Sequence, residues 1–184
     1  MRKVVVSEFL TLDGVMESPD KWSFQYWTDE IAQFKFDELF VSDALLLGRV
    51  TYQGFAEAWP AITDEQGFAD RMNGLPKYVV STTLEEAKWN NSTLIKGNVA
   101  EEISMLKQQP GQNILIGGSA NLIQTLMQHN LIDEYQLLVY PVVRGSGKPL
   151  FKGGELQLKL VNTKTFSSGV VLLSYQALKA ADAG

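Results

Sequence analysis

The segment over residues 113–123 constrains the fold of this chain more than any other. Residues 114–116 are a continuous apolar run, which predicts a short strand covered on both faces. Gly117 and Gly118 follow, and glycine permits a sharp turn and the close approach of another backbone or a phosphate. Ser119 then predicts the N-cap of an amphipathic helix. The turn of this strand–turn–helix unit either only connects the strand to the helix, without a ligand, or binds an anion at the helix N-terminus.

Two further strand ends carry small or anion-binding groups. The apolar run over residues 44–47 ends at Gly48 and Arg49, and residues 77–82 form a strand pattern that ends in Ser81 and Thr82. A guanidinium matches the geometry of a phosphate, although Arg49 could equally pair with a surface carboxylate. Because ligands of open α/β sheets bind outside the carboxyl ends of the strands, the three ends together predict a cleft for a phosphate-bearing ligand.

The remaining patterns predict one α/β domain over residues 1–184. Strand and helix patterns alternate early, and the chain ends in an antiparallel hairpin, so the sheet is mixed. Further strands are predicted over residues 3–10, 93–95, 133–143, 156–166 and 170–178. Further helices are predicted over Asp29–Phe40 and residues 52–58, 100–107 and 119–129.

Composition excludes several classes of function. The net charge of −5 gives no general basic surface for nucleic acid or anionic lipid, and no apolar run approaches the ~20 residues of a membrane span. The chain has no cysteine and one histidine, so thiolate chemistry and multi-histidine metal sites are excluded and no metal is expected. The N-terminus lacks a signal-peptide pattern, and we expect a cytoplasmic protein.

The chain resembles the dihydrofolate reductase-like superfamily, and most closely the reductase domain of bacterial riboflavin biosynthesis. The matching segments are residues 45–52 (LLLGRVTY), 114–120 (ILIGGSA) and 140–151 (YPVVRGSGKPLF). The resemblance covers nearly the whole chain. It implies a three-layer αβα fold in which a mixed, mostly parallel eight-stranded sheet ends in an antiparallel C-terminal hairpin.

The resemblance implies NADPH as the cofactor, bound in the predicted cleft. In this interpretation Arg49 binds the ribose 2′-phosphate, and the glycine turn receives the pyrophosphate. The residues implied to bind the cofactor are Gly48, Arg49, Val50, Thr51, Ser81, Thr82, Gly117, Gly118, Ser119 and Ala120.

The resemblance also implies a substrate site beside the first strand. Asp13, Gly14 and Trp22 fall in the segment that corresponds to the mobile loop near the nicotinamide of dihydrofolate reductases. Folate reductases hold the pterin ring with an acidic residue of the first helix, and Asp29 and Glu30 are the acids nearest to that position. We take both as candidate catalytic residues, with stabilisation of the helix dipole as the alternative.

The implied reaction is hydride transfer from NADPH to a C=N or C=O carbon of a small molecule. The chain resembles 5-amino-6-(5-phosphoribosylamino)uracil reductase without the deaminase domain fused to it in that family, so we expect a reductase alone or a relative with another substrate. The alternatives are dihydrofolate reductase activity and a nucleotide-binding protein without turnover. Relatives commonly form homodimers, and the closing hairpin could supply that interface or belong to the core.

Overall fold

The computed structural model describes residues 1–179, which form eight strands and five α-helices. The strands are β1 (Val4–Thr11), β2 (Ser42–Gly48), β3 (Lys77–Val80), β4 (Ser92–Ile95), β5 (Asn113–Gly117), β6 (Glu134–Tyr140), β7 (Leu158–Thr165) and β8 (Val171–Ala177). The helices are α1 (Asp29–Phe40), α2 (Arg49–Ala58), α3 (Phe68–Gly74), α4 (Val99–Gln108) and α5 (Ala120–Gln128). None of these helices is long and apolar enough to cross a membrane.

The eight strands form one mixed sheet in the order β4-β3-β2-β5-β1-β6-β8-β7. Strands β1 to β6 pair in parallel, whereas β8 runs antiparallel to both β6 and β7. One face packs against α1, α2 and α3 through a core that includes Leu39, Tyr52 and Met72, and the other face packs against α4 and α5 through Ile103 and Ile123. The predicted three-layer αβα fold is confirmed.

β1 lies at the centre because its side chains are apolar on both faces. Val4 and Val6 contact the core under α4 and α5, and Val5 contacts the core under α1 and α2. The continuous apolar run in β5 is explained in the same way, because parallel strands buried on both faces need apolar side chains on both.

The parallel pair β1–β5 is shorter than the pair β1–β6. Pairing with β5 ends where Ser7 lies opposite Gly117, whereas pairing with β6 continues until Thr11 lies opposite Tyr140. The last four residues of β1 therefore extend beyond the end of β5. Residues 8–11 of β1 have no strand partner on the β5 side, and we call this gap, at the edge where parallel α/β sheets bind ligands, the crevice.

Several predicted bounds differ from the structure. β3 ends at Val80, so Ser81 and Thr82 follow the strand, and β6 stops at Tyr140 because the chain there turns to pair with the loop after β1. The closing hairpin divides: Leu172 of β8 belongs to the core, whereas β7 is an exposed edge strand on which Val161 keeps 58% of its surface.

Candidate active site

The two glycine turns at the ends of β2 and β5 are packed together. The Gly48 N–H donates to Ser119 Oγ at 2.8 Å, and a Cβ added to Gly48 would lie 3.3 Å from the Cβ of Ser119. A Cβ added to Gly118 would lie 2.7 Å from Thr51 Oγ1, closer than side-chain atoms ordinarily approach. The structure thus brings two of the three predicted cofactor segments into direct contact.

The turn before α5 is left-handed at two consecutive residues. Gly118 has φ of 64°, and Ser119 has φ of 68°. Ser119 stands at the predicted N-cap position, but its hydroxyl makes no capping hydrogen bond because it accepts from Gly48 instead. The predicted capping role is therefore wrong, and the first amides of α5 keep their capacity to bind an anion.

The side chains at the start of α2 lie at the surface of this turn. Arg49 is exposed, and its Nη1 donates to Gln53 Oε1 at 3.2 Å, which leaves its charge without a carboxylate partner at that contact. Val50 keeps 72% of its surface exposed next to it. Both residues are accessible to a ligand that spans the two glycine turns.

Ser81 and Thr82 are separated from the glycine turn of β5 by β2. The Ser81 hydroxyl accepts the N–H groups of Thr83 (3.3 Å) and Leu84 (3.0 Å), and so closes its own turn. Thr82 is exposed at the same edge of the sheet. Their contact with a cofactor remains a prediction.

Asp13 holds the loop after β1 against the loop after β6. Its carboxylate accepts from Thr11 Oγ1 at 2.6 Å and from the N–H groups of Arg144 (3.2 Å) and Gly145 (2.8 Å). These hydrogen bonds lower the pKa of Asp13 to about 2. The carbonyl of Gly14 accepts the N–H of Leu150 at 3.1 Å. In this structure the loop that contains Asp13 and Gly14 is pinned at one end of the crevice.

The other three predicted residues on the substrate side lie at the edge of the core or in solvent. Trp22 exposes only 4% of its surface to solvent and packs edge-on against Tyr140, with ring centroids 5.3 Å apart. Asp29 and Glu30 are exposed in the first turn of α1, where the Glu30 carboxylate accepts the N–H of Ser167 at 3.4 Å. The structure does not bring these three residues together, and their roles toward a substrate remain predictions.

A buried charged cluster at the crevice was missed at the sequence level. Lys35 of α1 donates from Nζ to Ser7 Oγ at 2.9 Å and to Glu38 Oε1 at 2.5 Å. Glu8, with 6% of its surface exposed, is the first residue of β1 beyond the end of β5. The backbone N–H of Gly118 is near enough to the Glu8 carboxyl group to favour its charged form.

Burial raises the pKa of Glu8 well above its ordinary value. The charge of Lys35 and the nearby N–H of Gly118 act in the opposite direction but are smaller effects, and the nearby charge of Glu38 adds to the increase. An acid two residues after three consecutive buried valines was the available sequence signal. A strand covered on both faces has no solvent side for such a residue.

These features define a dihydrofolate reductase-like fold, and comparison with known proteins gives the family of the chain. The chain matches the RibD C-terminal domain over residues 2–172, and it belongs to that family. Protein YyaP of Bacillus subtilis, described as uncharacterized, is 36% identical over 179 residues, covering 95% of this chain and 94% of the relative. The uncharacterized protein YwjB of the same organism is 30% identical over 177 residues, covering 93% of this chain and 96% of the relative.

Solved structures show the same fold at lower identity. A Shewanella sp. PV-4 protein, described provisionally as a riboflavin biosynthesis protein, has a TM-score of 0.78 at 20% identity, covering 96% of this chain and 99% of that one. The Thermotoga maritima deaminase/5-amino-6-(5-phosphoribosylamino)uracil reductase has a TM-score of 0.66 at 17% identity, covering 96% of this chain and 57% of that one. Enterococcus faecalis dihydrofolate reductase, solved with NADP(H), has a TM-score of 0.62 at 14% identity, covering 96% and 97%.

Proposed function

We propose that this protein is an NADPH-dependent reductase that acts on a heterocyclic substrate, with a ribosylated aminopyrimidine as the preferred class. The observation that carries the proposal is the contact between the two glycine turns at the crevice, beside a helix N-terminus whose serine does not cap it. Membership of the RibD C-terminal domain family supports a reductase, and the names of the related structures support a nicotinamide cofactor.

The residues of the crevice fit a dinucleotide. Its pyrophosphate would lie against the amides of the first turn of α5, because the side chain of Ser119 does not cap them. The close contact of Gly118 with Thr51 leaves a turn without protruding side chains. Arg49 would then reach the 2′-phosphate. When bound, NADPH supplies a hydride to the carbon of a C=N or C=O bond.

The positions of Asp29 and Glu30 support a pyrimidine substrate over folate. A folate reductase needs an acid of the first helix against the pterin ring, and here both acids face solvent. The acid buried in the crevice belongs to β1 instead. Folate is therefore the less favoured substrate.

The experiment that tests the proposal is a calorimetric titration of Arg49→Ala with NADPH and NADH. Loss of a charge-assisted hydrogen bond should weaken NADPH binding by about 1.5–3 kcal/mol and leave NADH binding nearly unchanged. The matched control is Lys159→Ala, which removes an exposed cation at the opposite edge of the sheet. Equal losses for both cofactors, or none, would remove the 2′-phosphate role from Arg49, and failure of the unsubstituted protein to bind NADPH would refute the proposed function.

A further inference from the structure

Glu8 is a buried acid at the crevice to which the proposed cofactor contacts give no role. It follows the last residue of β1 that pairs with β5, at the point of the strand where the crevice begins. Among the described residues, its Oε1 has no hydrogen-bond partner although the atom is buried. A buried carboxyl oxygen without a partner is uncommon in a folded protein, and a catalytic role is one of the reasons for which such an atom is retained.

The surroundings of Glu8 favour the neutral form of its carboxyl group. The ionisable groups whose charges act on it are Lys35 and Glu38, both from α1, and they are paired with each other at 2.5 Å. The cation that could compensate a charged Glu8 is therefore already shared with another carboxylate. Burial therefore penalises the charge of Glu8 and raises its pKa, which favours the protonated carboxyl group.

We propose that Glu8 is the proton donor of the reduction. This inference rests on the reductase function proposed above. The Glu8 carboxyl O–H gives its proton to the nitrogen or oxygen of the C=N or C=O bond while the carbon of that bond takes up the hydride. The substrate class is thereby restricted to molecules that present such a heteroatom to Glu8.

The step balances in atoms and electrons. The O–H bond of Glu8 breaks and an N–H or O–H bond of the product forms, whereas both electrons arrive with the hydride and Glu8 keeps its oxidation state. The carboxylate that remains is stabilised by the N–H of Gly118 and by the charge of Lys35, and solvent returns the proton before the next turnover. Lys35 is then a positioning residue that acts through its charge on Glu8.

The test is infrared spectroscopy of the carboxyl C=O stretch, with and without saturating NADPH, on the unsubstituted protein and on Glu8→Gln. Glutamine keeps an acceptor for the Gly118 N–H but has no acidic proton. The matched control is Glu134→Gln, at the start of β6 and the opposite end of the sheet, where the carboxylate is paired with Lys3. A third variant, Lys35→Met, removes the cation that lowers the pKa of Glu8.

We expect a protonated-carboxyl band at pH 7 that is absent only from Glu8→Gln, shifts when NADPH binds, and persists to higher pH in Lys35→Met. With 5-amino-6-(5-phosphoribosylamino)uracil as the probe substrate, Glu8→Gln should lower turnover at least 100-fold, the lower bound for loss of a general acid, while NADPH affinity changes less than threefold. Binding of NADPH without a Glu8-dependent band, or with a band that NADPH does not shift, overturns the donor role alone. Absence of NADPH binding refutes the reductase function and the donor role with it.

Discussion

Substitution of Gly118 by alanine tests whether the two glycine turns depend on close packing. An alanine with φ near 64° costs about 1–2 kcal/mol, because its Cβ approaches the following carbonyl oxygen. The same Cβ would lie 2.7 Å from Oγ1 and 3.0 Å from Cγ2 of Thr51, a β-branched side chain with restricted rotamers. Overpacking of this kind costs typically 1–3 kcal/mol. We therefore expect Gly118→Ala to destabilise the fold by about 2–5 kcal/mol.

A double-mutant cycle separates the two contributions. Thr51→Ala removes Oγ1 and Cγ2, after which the nearest atom of residue 51 is its Cβ at 3.5 Å, an ordinary contact. In the Thr51→Ala background, Gly118→Ala should cost only the ~1–2 kcal/mol of backbone strain. The coupling energy between the two sites is then about 1–3 kcal/mol.

The assay is urea unfolding followed by tryptophan fluorescence, with Gly117→Ala as the control. A Cβ added to Gly117 meets no atom within 4 Å, and the φ of this residue is outside the left-handed region, so its alanine variant should differ from the unsubstituted protein by less than about 1 kcal/mol. Equal costs of Gly118→Ala in the two backgrounds would refute the packing argument, and a cost like that of Gly117→Ala would refute the strain argument as well.

Two further predictions concern ionisable groups. Because the pKa of Glu8 is raised in the folded state, the native protein binds more protons than the unfolded chain from about pH 4.5 up to that raised pKa, and its stability falls by about 1.4 kcal/mol per pH unit across this window. Between pH 4 and pH 8, the unfolding free energy of Glu8→Gln should therefore rise relative to that of the unsubstituted protein as pH increases. A difference that stays constant with pH would contradict a raised pKa of Glu8 in the folded state. Asp13→Asn should speed hydrogen exchange of the Gly145 amide, because an amide side chain replaces the carboxylate that accepts from this N–H at 2.8 Å. The control Asp20→Asn, in the neighbouring exposed loop, should leave this exchange rate unchanged. An unchanged rate in Asp13→Asn as well would show that the loop is held by other contacts.

The sequence predicted the sheet well because its strands are buried on both faces. Continuous apolar runs such as residues 44–47 and 114–116 are typical of parallel strands buried on both faces, and the glycines after them indicate the strand ends. The proximity of Gly48 and Gly118 followed from parallel pairing at one edge. Each of these inferences needs only local pattern and a rule of topology.

The contacts that give the site its chemistry could not be predicted from local sequence patterns, because they join residues that are distant in the chain. Ser119 satisfies every sequence criterion for an N-cap, yet its hydroxyl accepts a hydrogen bond from a residue 71 positions away. Glu8 seemed to be a polar interruption at the end of a strand, because its burial depends on the central position of β1 and on the early end of β5. Trp22 could equally have been a lid or part of the core, and only the position of Tyr140 gives its packing.

The hydrogen bond from Gly48 to Ser119 joins two turns that lie 71 positions apart in the chain. If the two turns were separate and flexible, binding of a dinucleotide would have to order each of them, and this loss of conformational entropy would weaken its affinity. Because the turns are joined, that entropy is already lost when the protein folds. The free and bound forms of this edge should then be nearly superimposable, and the association rate should be limited by orientation at encounter rather than by loop closure. Selectivity among nucleotides would accordingly depend on fixed shape, so a close analogue with a displaced phosphate should be rejected rather than accommodated.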